Sequence, residues 1–132
     1  MKAAKILSKE YGLEAEVIDA RSLVPFRYEK LLESVKKTGK LILSSDACAR
    51  GSHSNDIARN VTELAFNYLD APPVVVGSKN WITPCGELEQ EFFPQPDWII
   101  DAIHQKMMPL RGRTARHNFT IGSQIATEAM GR

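Results

Sequence analysis

The sequence predicts one α/β domain of three layers, with helices on both faces of a mainly parallel sheet. Three observations carry that expectation. Segments with helical spacing alternate with short apolar runs along 132 residues, a length suited to one domain and too short for two. The runs Leu41-Ile42-Leu43 and Val74-Val75-Val76 are apolar throughout rather than alternating, as strands covered on both faces are. The strongest helical pattern lies between them, where a crossover between parallel strands needs it.

Ala3, Ile6, Leu7 and Tyr11 recur at helical spacing, and Gly12 follows as a stop because glycine tolerates the left-handed conformation. Residues 14–19 (EAEVID) begin with alternation and end apolar, which predicts a strand. Pro25 interrupts regular structure within residues 21–27. Leu31, Leu32 and Val35 form the buried stripe of a second helix over residues 28–38, closed by Gly39. The run at 41–43 is the next strand, and the small, polar residues 47–54 (ACARGSHS) read as a strand-to-helix loop. Ile57, Val61, Leu64, Ala65 and Tyr68 mark one face of a helix over residues 55–68, broken by Pro72 and Pro73. The β-branched run at 74–76 is the third strand. Residues 77–86 form a loop and 87–92 a short helical piece, ended by Pro94 and Pro96. Asp97 is placed to cap a last helix over residues 98–107 with Ile99, Ile100 and Ile103 on its apolar face.

Hydrophobic residues make up 43% of the chain and charged residues 25%, as in a soluble globular protein. A formal net charge of +1 gives no reason to expect nucleic acid or a membrane surface as partner, and no run of eighteen apolar residues exists. The first twelve residues are amphipathic and lack the form of a secretion signal. Cys48 and Cys85 are unpaired by spacing, so the expected setting is the reducing cytoplasm. One feature is physically awkward. The order opens on a helix and offers three strands, so the sheet is expected to lack a strand at its front.

The middle of the chain resembles the C-terminal domain of the transketolase superfamily, most of all that of the beta subunit of thiamine-diphosphate-dependent 2-oxoacid dehydrogenases of the pyruvate, branched-chain and acetoin types. Residues 14–26 (EAEVIDARSLVPF), 31–43 (LLESVKKTGKLIL) and 71–96 (APPVVVGSKNWITPCGELEQEFFPQP) carry the resemblance, which covers residues 1–107. It implies a domain over residues 1–108 without the family's first, central strand, and an extended basic tail over 109–132. It also implies that thiamine diphosphate and magnesium belong to other domains of the parent enzyme, that this chain binds no cofactor and holds no catalytic residue, and that the isolated chain is inactive. The implied partners are the alpha subunit or thiamine-binding domains, the acyltransferase core and further copies of the chain. The alternatives are a stand-alone oligomerisation or binding module, or a domain of another transketolase-type enzyme.

The residues agree with that reading. There is no GxGxxG and no phosphate-binding Walker loop. Cys48 and His53 are five apart in a loop, which reads as an interface loop rather than a thiol–imidazole pair, and with Cys85 they make too few zinc ligands. Arg50 and His53 precede the strongest helix in a loop where the family is richer in glycine, so contacts there do not transfer residue by residue. Asn80, Trp81 and Pro84 place a tryptophan between polar residues, as at many interface hot spots. Arg50, His53, Asn80, Trp81 and Pro84 are therefore the candidate partner-binding residues. Glu87, Glu89 and Glu91 read as a solvated face, and Arg111, Arg113 and Arg116 as a solvated basic linker. A strand-like piece at 119–123, followed by a helix-like one, raises the further expectation that the tail fills the gap in the sheet, within the chain or across a dimer.

Overall fold

A computed structural model of the chain describes residues 1–129. Helix α1 spans Lys2–Tyr11 and buries Ala3 and Leu7, four positions apart, before Gly12 closes it. Helix α2 spans Tyr28–Thr38 and buries Leu31 and Val35 at the same spacing. Its last carbonyls meet Gly39, whose φ of 70° is open to glycine alone without strain. A side chain there would also strike Asp70, whose N–H donates to the Gly39 carbonyl at 2.8 Å.

Strand β1 runs Ile42–Cys48, helix α3 His53–Ala65 with a 3-10 turn at Phe66–Tyr68, and strand β2 Val74–Ser78. The two strands pair in parallel with Ile42 opposite Val74 and Ser44 opposite Val76, and the register slips before Cys48 meets Ser78. At that slip β1 passes so close to Gly77 that a Cβ would lie 2.4 Å from the Ala47 carbonyl oxygen. A 3-10 turn at Gly86–Leu88 leads into the short helix α4, Glu89–Phe92. Helix α5 is Pro96–Lys106, with proline in its first turn where the missing N–H has no intrahelical partner to lose. Helix α6 is Ile121–Ala129.

These elements make the expected three layers. On one face Leu31, Val35, Ile57, Val61 and Ala65 of α2 and α3 close over Leu41. On the other, Ala3 and Leu7 of α1 pack with Ile100 and Ile103 of α5, and Ile42 joins them. Val74 and Val76 meet Trp98 and Ala102 of α5 on that same side. Successive side chains of a strand point to opposite faces, so one apolar run serves both layers. Each fully buried aliphatic side chain contributes about 1.5–3 kcal/mol.

Two expectations fail. The predicted strand at 14–19 does not form: the segment is irregular, with Val17 52% and Ile18 44% exposed, and the sheet has two strands. Among the described residues, no strand lies between this segment and β1, and alternation alone gives a strand no ladder partner. A groove of about 420 Å³ occupies that space, lined by Leu13 and Ile18 on one side, Leu41 and Ile42 on the other, and Ile103 and Met107 below. The segment is tied to α2 by the ion pair of Glu16 with Lys37. The strand-like reading of 119–123 fails as well, because Ile121 begins α6. None of the described tail residues lines the groove, so within the chain the tail does not fill the gap.

The other differences are local. β1 extends through residues 44–48, previously expected to turn, because pairing with β2 satisfies their backbone groups. Helix α5 starts before Asp97, which lies in its first turn, and Gln95 stands at the cap position. No helix of the described residues is long and apolar enough to cross a membrane.

Candidate functional site

The free edge of β2 lies under a cleft of about 830 Å³. Its floor is Pro73, Val74 and Val75 of the β2 region, and three further stretches wall it. The first is the turn at 49–51, where the Asn55 side chain donates to the Ala49 carbonyl at 2.6 Å and Ala49 N–H donates to the Ser78 carbonyl at 3.2 Å. The second is the loop leaving β2 at 79–81. The third is the tail at 116–119, beside Lys106 at the end of α5. A continuous apolar run, Val74 to Val76, positions β2, whereas the turn and loop follow from Gly51 and from the close passage at Gly77.

The tail is held there by one buried carboxylate. Asp101 of α5 is fully buried and accepts from the Arg113 guanidinium at 2.6 and 2.8 Å through Oδ1. Its Oδ2 accepts from the backbone N–H groups of Arg116 and His117, both at 3.0 Å, and lies 3.1 Å from His117 Nδ1. An ionised carboxylate only accepts, so that ring nitrogen carries the proton. Burial pushes the Asp101 carboxyl up, but these donors outweigh it and hold the carboxyl below the ordinary carboxylate range. Gln105 adds a reciprocal clamp, donating to the His117 carbonyl at 2.6 Å and accepting from Phe119 N–H at 2.7 Å. The His117 ring then lies 5.3 Å from Trp98, and Phe119 joins the Val74–Val76–Trp98 core.

The cleft is basic. Arg50, Lys79, Lys106 and Arg116 line it together with His117, and no aspartate or glutamate does among the described residues. The Lys79 ammonium is held over two indoles, 4.9 Å from the Trp81 ring and 5.2 Å from the Trp98 ring. Burial lowers the Lys106 pKa.

Of the residues chosen from sequence, the fold brings Arg50, Asn80 and Trp81 to this one cleft, with Trp81 53% exposed. His53 is exposed at the first position of α3, and Pro84 is half-buried in the following loop; neither is among the lining residues. Cys48 points its thiol at Asn80 Oδ1, 3.6 Å away. Sequence reasoning missed Asp101 and His117 and read Arg113 as part of a solvated linker, whereas its side chain is paired with the buried Asp101. The available signal was an aspartate inside the apolar run WIIDAI, which demands a buried partner.

Magnesium diphosphate needs oxygen ligands, chiefly carboxylates, around the metal. Among the described residues no three histidine, cysteine or acidic side chains are grouped to hold a metal ion, and the basic cleft offers no carboxylate. The residues present do not suit thiamine diphosphate with its metal.

The sequence model of the family described as transketolase, C-terminal domain, matches residues 1–99. The chain is 35% identical over 107 residues to the pyruvate dehydrogenase E1 component subunit beta of Leifsonia xyli, covering 81% of this chain and 32% of that one. It is 38% identical over 107 residues to the mitochondrial pyruvate dehydrogenase E1 component subunit beta of Saccharomyces cerevisiae, covering 80% and 29%. It is 39% identical over 101 residues to the acetoin:2,6-dichlorophenolindophenol oxidoreductase subunit beta of Bacillus subtilis, covering 76% and 29%. The chain spans about a third of the length of these curated relatives.

Proposed function

The chain belongs to the transketolase C-terminal domain family, and on that premise we propose that it is an assembly domain of the decarboxylating component of a 2-oxoacid dehydrogenase complex. In this reading it joins the alpha subunit or thiamine-binding domains, helps to dock the acyltransferase core, and works in the cytoplasm as part of an oligomer. Thiamine diphosphate and magnesium act elsewhere in the parent enzyme, and this chain by itself turns over no 2-oxoacid. Arg50, His53, Asn80, Trp81 and Pro84 are the proposed contact residues.

The observation that carries the assembly role is the groove beside β1. Residues of the segment 14–20, which forms no strand, line this groove together with Leu41, Ile42 and Leu43 at the β1 edge that β2 leaves unpaired. An unpaired parallel edge with an apolar floor is a surface that a strand from elsewhere in the assembly satisfies.

Co-purification tests this. The chain, mixed with a thiamine-binding region and alpha subunit of a pyruvate-type enzyme, is expected to migrate as a complex on size exclusion. Ile18→Asp, which puts a charge on the groove wall at a residue 44% exposed, is expected to abolish that complex while helix content persists. Failure of the unsubstituted chain to associate sinks the assembly role. Decarboxylation of a 2-oxoacid by the chain alone refutes the inactive reading.

A further inference from the structure

The cleft beside β2 shares no lining residue with the groove beside β1 and needs a separate account. We propose that it is a binding site for a small organic polyanion, a compound carrying two or more phosphate or carboxylate charges on an apolar frame. The proposal does not depend on the assembly role.

Charge gives the sign of the ligand. Cations arrive from three separate stretches, Lys79 from the loop after β2, Lys106 from the end of α5 and Arg116 from the tail, beside Arg50 of the turn after β1, which has an interaction of its own. Among the described residues, neither Lys106 nor the Arg116 side chain has a carboxylate within ion-pair distance. A concave site lined by one sign of charge with apolar walls focuses the field and concentrates counter-ions. Because the cations surround the cleft, a ligand that answers them needs negative groups at more than one point.

Positioning supports a built site. Lys79 lies over both indoles, so its ammonium is held over the cleft without a carboxylate partner. The arm carrying Arg116 is pinned by the Asp101 bonds to its backbone, which leaves the side chain directed by a fixed main chain. Lys106 is half-buried, and burial without a counter-charge lowers its pKa, a penalty that a bound anion removes.

Size and place give the class. A volume of about 830 Å³ lies in the range of small-molecule sites. Val74, Val75 and Phe119 supply the apolar part of its surface. The cleft runs along β2 from Pro73 to Ser78 and reaches the loop that leaves its carboxyl end, Lys79 to Trp81.

Titration of the full chain, followed by calorimetry and tryptophan fluorescence, tests the proposal with inorganic pyrophosphate, adenosine diphosphate and citrate. Acetate serves as a single-charge control and hexaglutamate as a peptide. Saturable binding near one to one is expected for at least one polyanion, with acetate silent. Preference for the phosphates over citrate identifies phosphate as the ligand chemistry, and the reverse identifies carboxylate. Lys79→Gln and Arg116→Gln are each expected to weaken binding by about tenfold, whereas Lys2→Gln, outside the cleft, leaves it unchanged. Lys106→Gln repeats the test from α5, and thermal unfolding of each variant separates lost binding from lost folding. The proposal is overturned by absence of saturable binding for all three polyanions, by binding indifferent to the three cleft variants, or by hexaglutamate binding while the small anions do not.

Discussion

The free edge of β1 looks onto a groove whose wall mixes aliphatic and methionine side chains with Glu14, Glu16 and Lys40, whereas the free edge of β2 lies under a basic cleft and an arm tied down by hydrogen bonds. On the β1 side, residues 14–20 are exposed and are held to the domain by the surface ion pair of Glu16 with Lys37 and by the hydrogen bond that the Ser8 hydroxyl donates to Glu14. On the β2 side, residues 113–119 deliver two backbone N–H groups, a guanidinium and an imidazole to one buried carboxylate. An edge can be finished by another strand or by irregular chain with its own polar anchor. The molecule uses the second solution on one side and leaves the first open on the other.

The largest way to break this contrast is Asp101→Asn, which takes from the Arg113 guanidinium its buried charge partner and leaves it the half-exposed Asp97 at 3.5 Å. Removing one member of a buried pair costs about 3–5 kcal/mol, so the urea midpoint is expected to fall sharply. Replacing both partners, as Asp101→Leu with Arg113→Leu, is expected to cost much less than the sum of the single changes. Additive losses in that double-mutant cycle would show that the two residues act separately.

Next in size is Gly77→Ala, whose new carbon meets the β1 backbone at Ala47 and Ala49. Forcing the strands apart is expected to cost about 1–3 kcal/mol and to blue-shift or broaden the tryptophan emission from the cleft. An unchanged unfolding midpoint would mean that the strands at their slip yield freely.

Acid sharpens the comparison. The Asp101 carboxyl has a folded pKa below its unfolded value, so its stabilisation is complete above about pH 4. That contribution is lost as pH falls through the depressed folded value. Stability of the unsubstituted chain is therefore expected to decline below about pH 4, and Asp101→Asn is expected to lack that part of the slope. Parallel pH profiles for the two proteins would contradict the assigned role of Asp101.

Hydrogen exchange reads the same contrast without a substitution. The amides of Arg116, His117 and Phe119 donate to Asp101 or Gln105 and are expected to be protected, while those of 14–20 exchange at near-unprotected rates. Filling the groove with a partner strand reverses the second result. The smallest effect is expected from Lys37→Gln, since its ion pair with Glu16 is solvent-exposed and such pairs contribute little. A large fall in the unfolding midpoint would show that residues 14–20 belong to the core after all.

Much of the helical layer was legible from spacing. Leu31 and Val35, or Ile57 and Val61, lie on one helix face whatever the rest of the chain does, and Gly39 stops α2 by a local backbone preference. The apolar runs at 41–43 and 74–76 announced buried parallel strands for the same reason. Residues 14–19 show where local reading ends. Their alternation is genuine, but a strand exists only with a neighbour to bond, and none lies beside them among the described residues. The site was half legible: Trp81 and Asn80 drew notice by type, and Arg50 by its turn. Lys106 drew none and Arg116 was read as part of a solvated linker, because a lysine at a helix end and an arginine in a tail are ordinary until the chain folds back.

Sequence alone therefore determined the family, through its similarity to known relatives, and the three-layer class and the two faces of the core, since these last rest on periodicity and on residues adjacent along the chain. Tertiary structure alone decided how each edge of the sheet is finished. That outcome depends on Asp101 meeting an arginine twelve positions later and on a strand neighbour being absent beside β1. Both are long-range pairings, and their energy comes from removing a charge or a backbone edge from water, which no local pattern encodes.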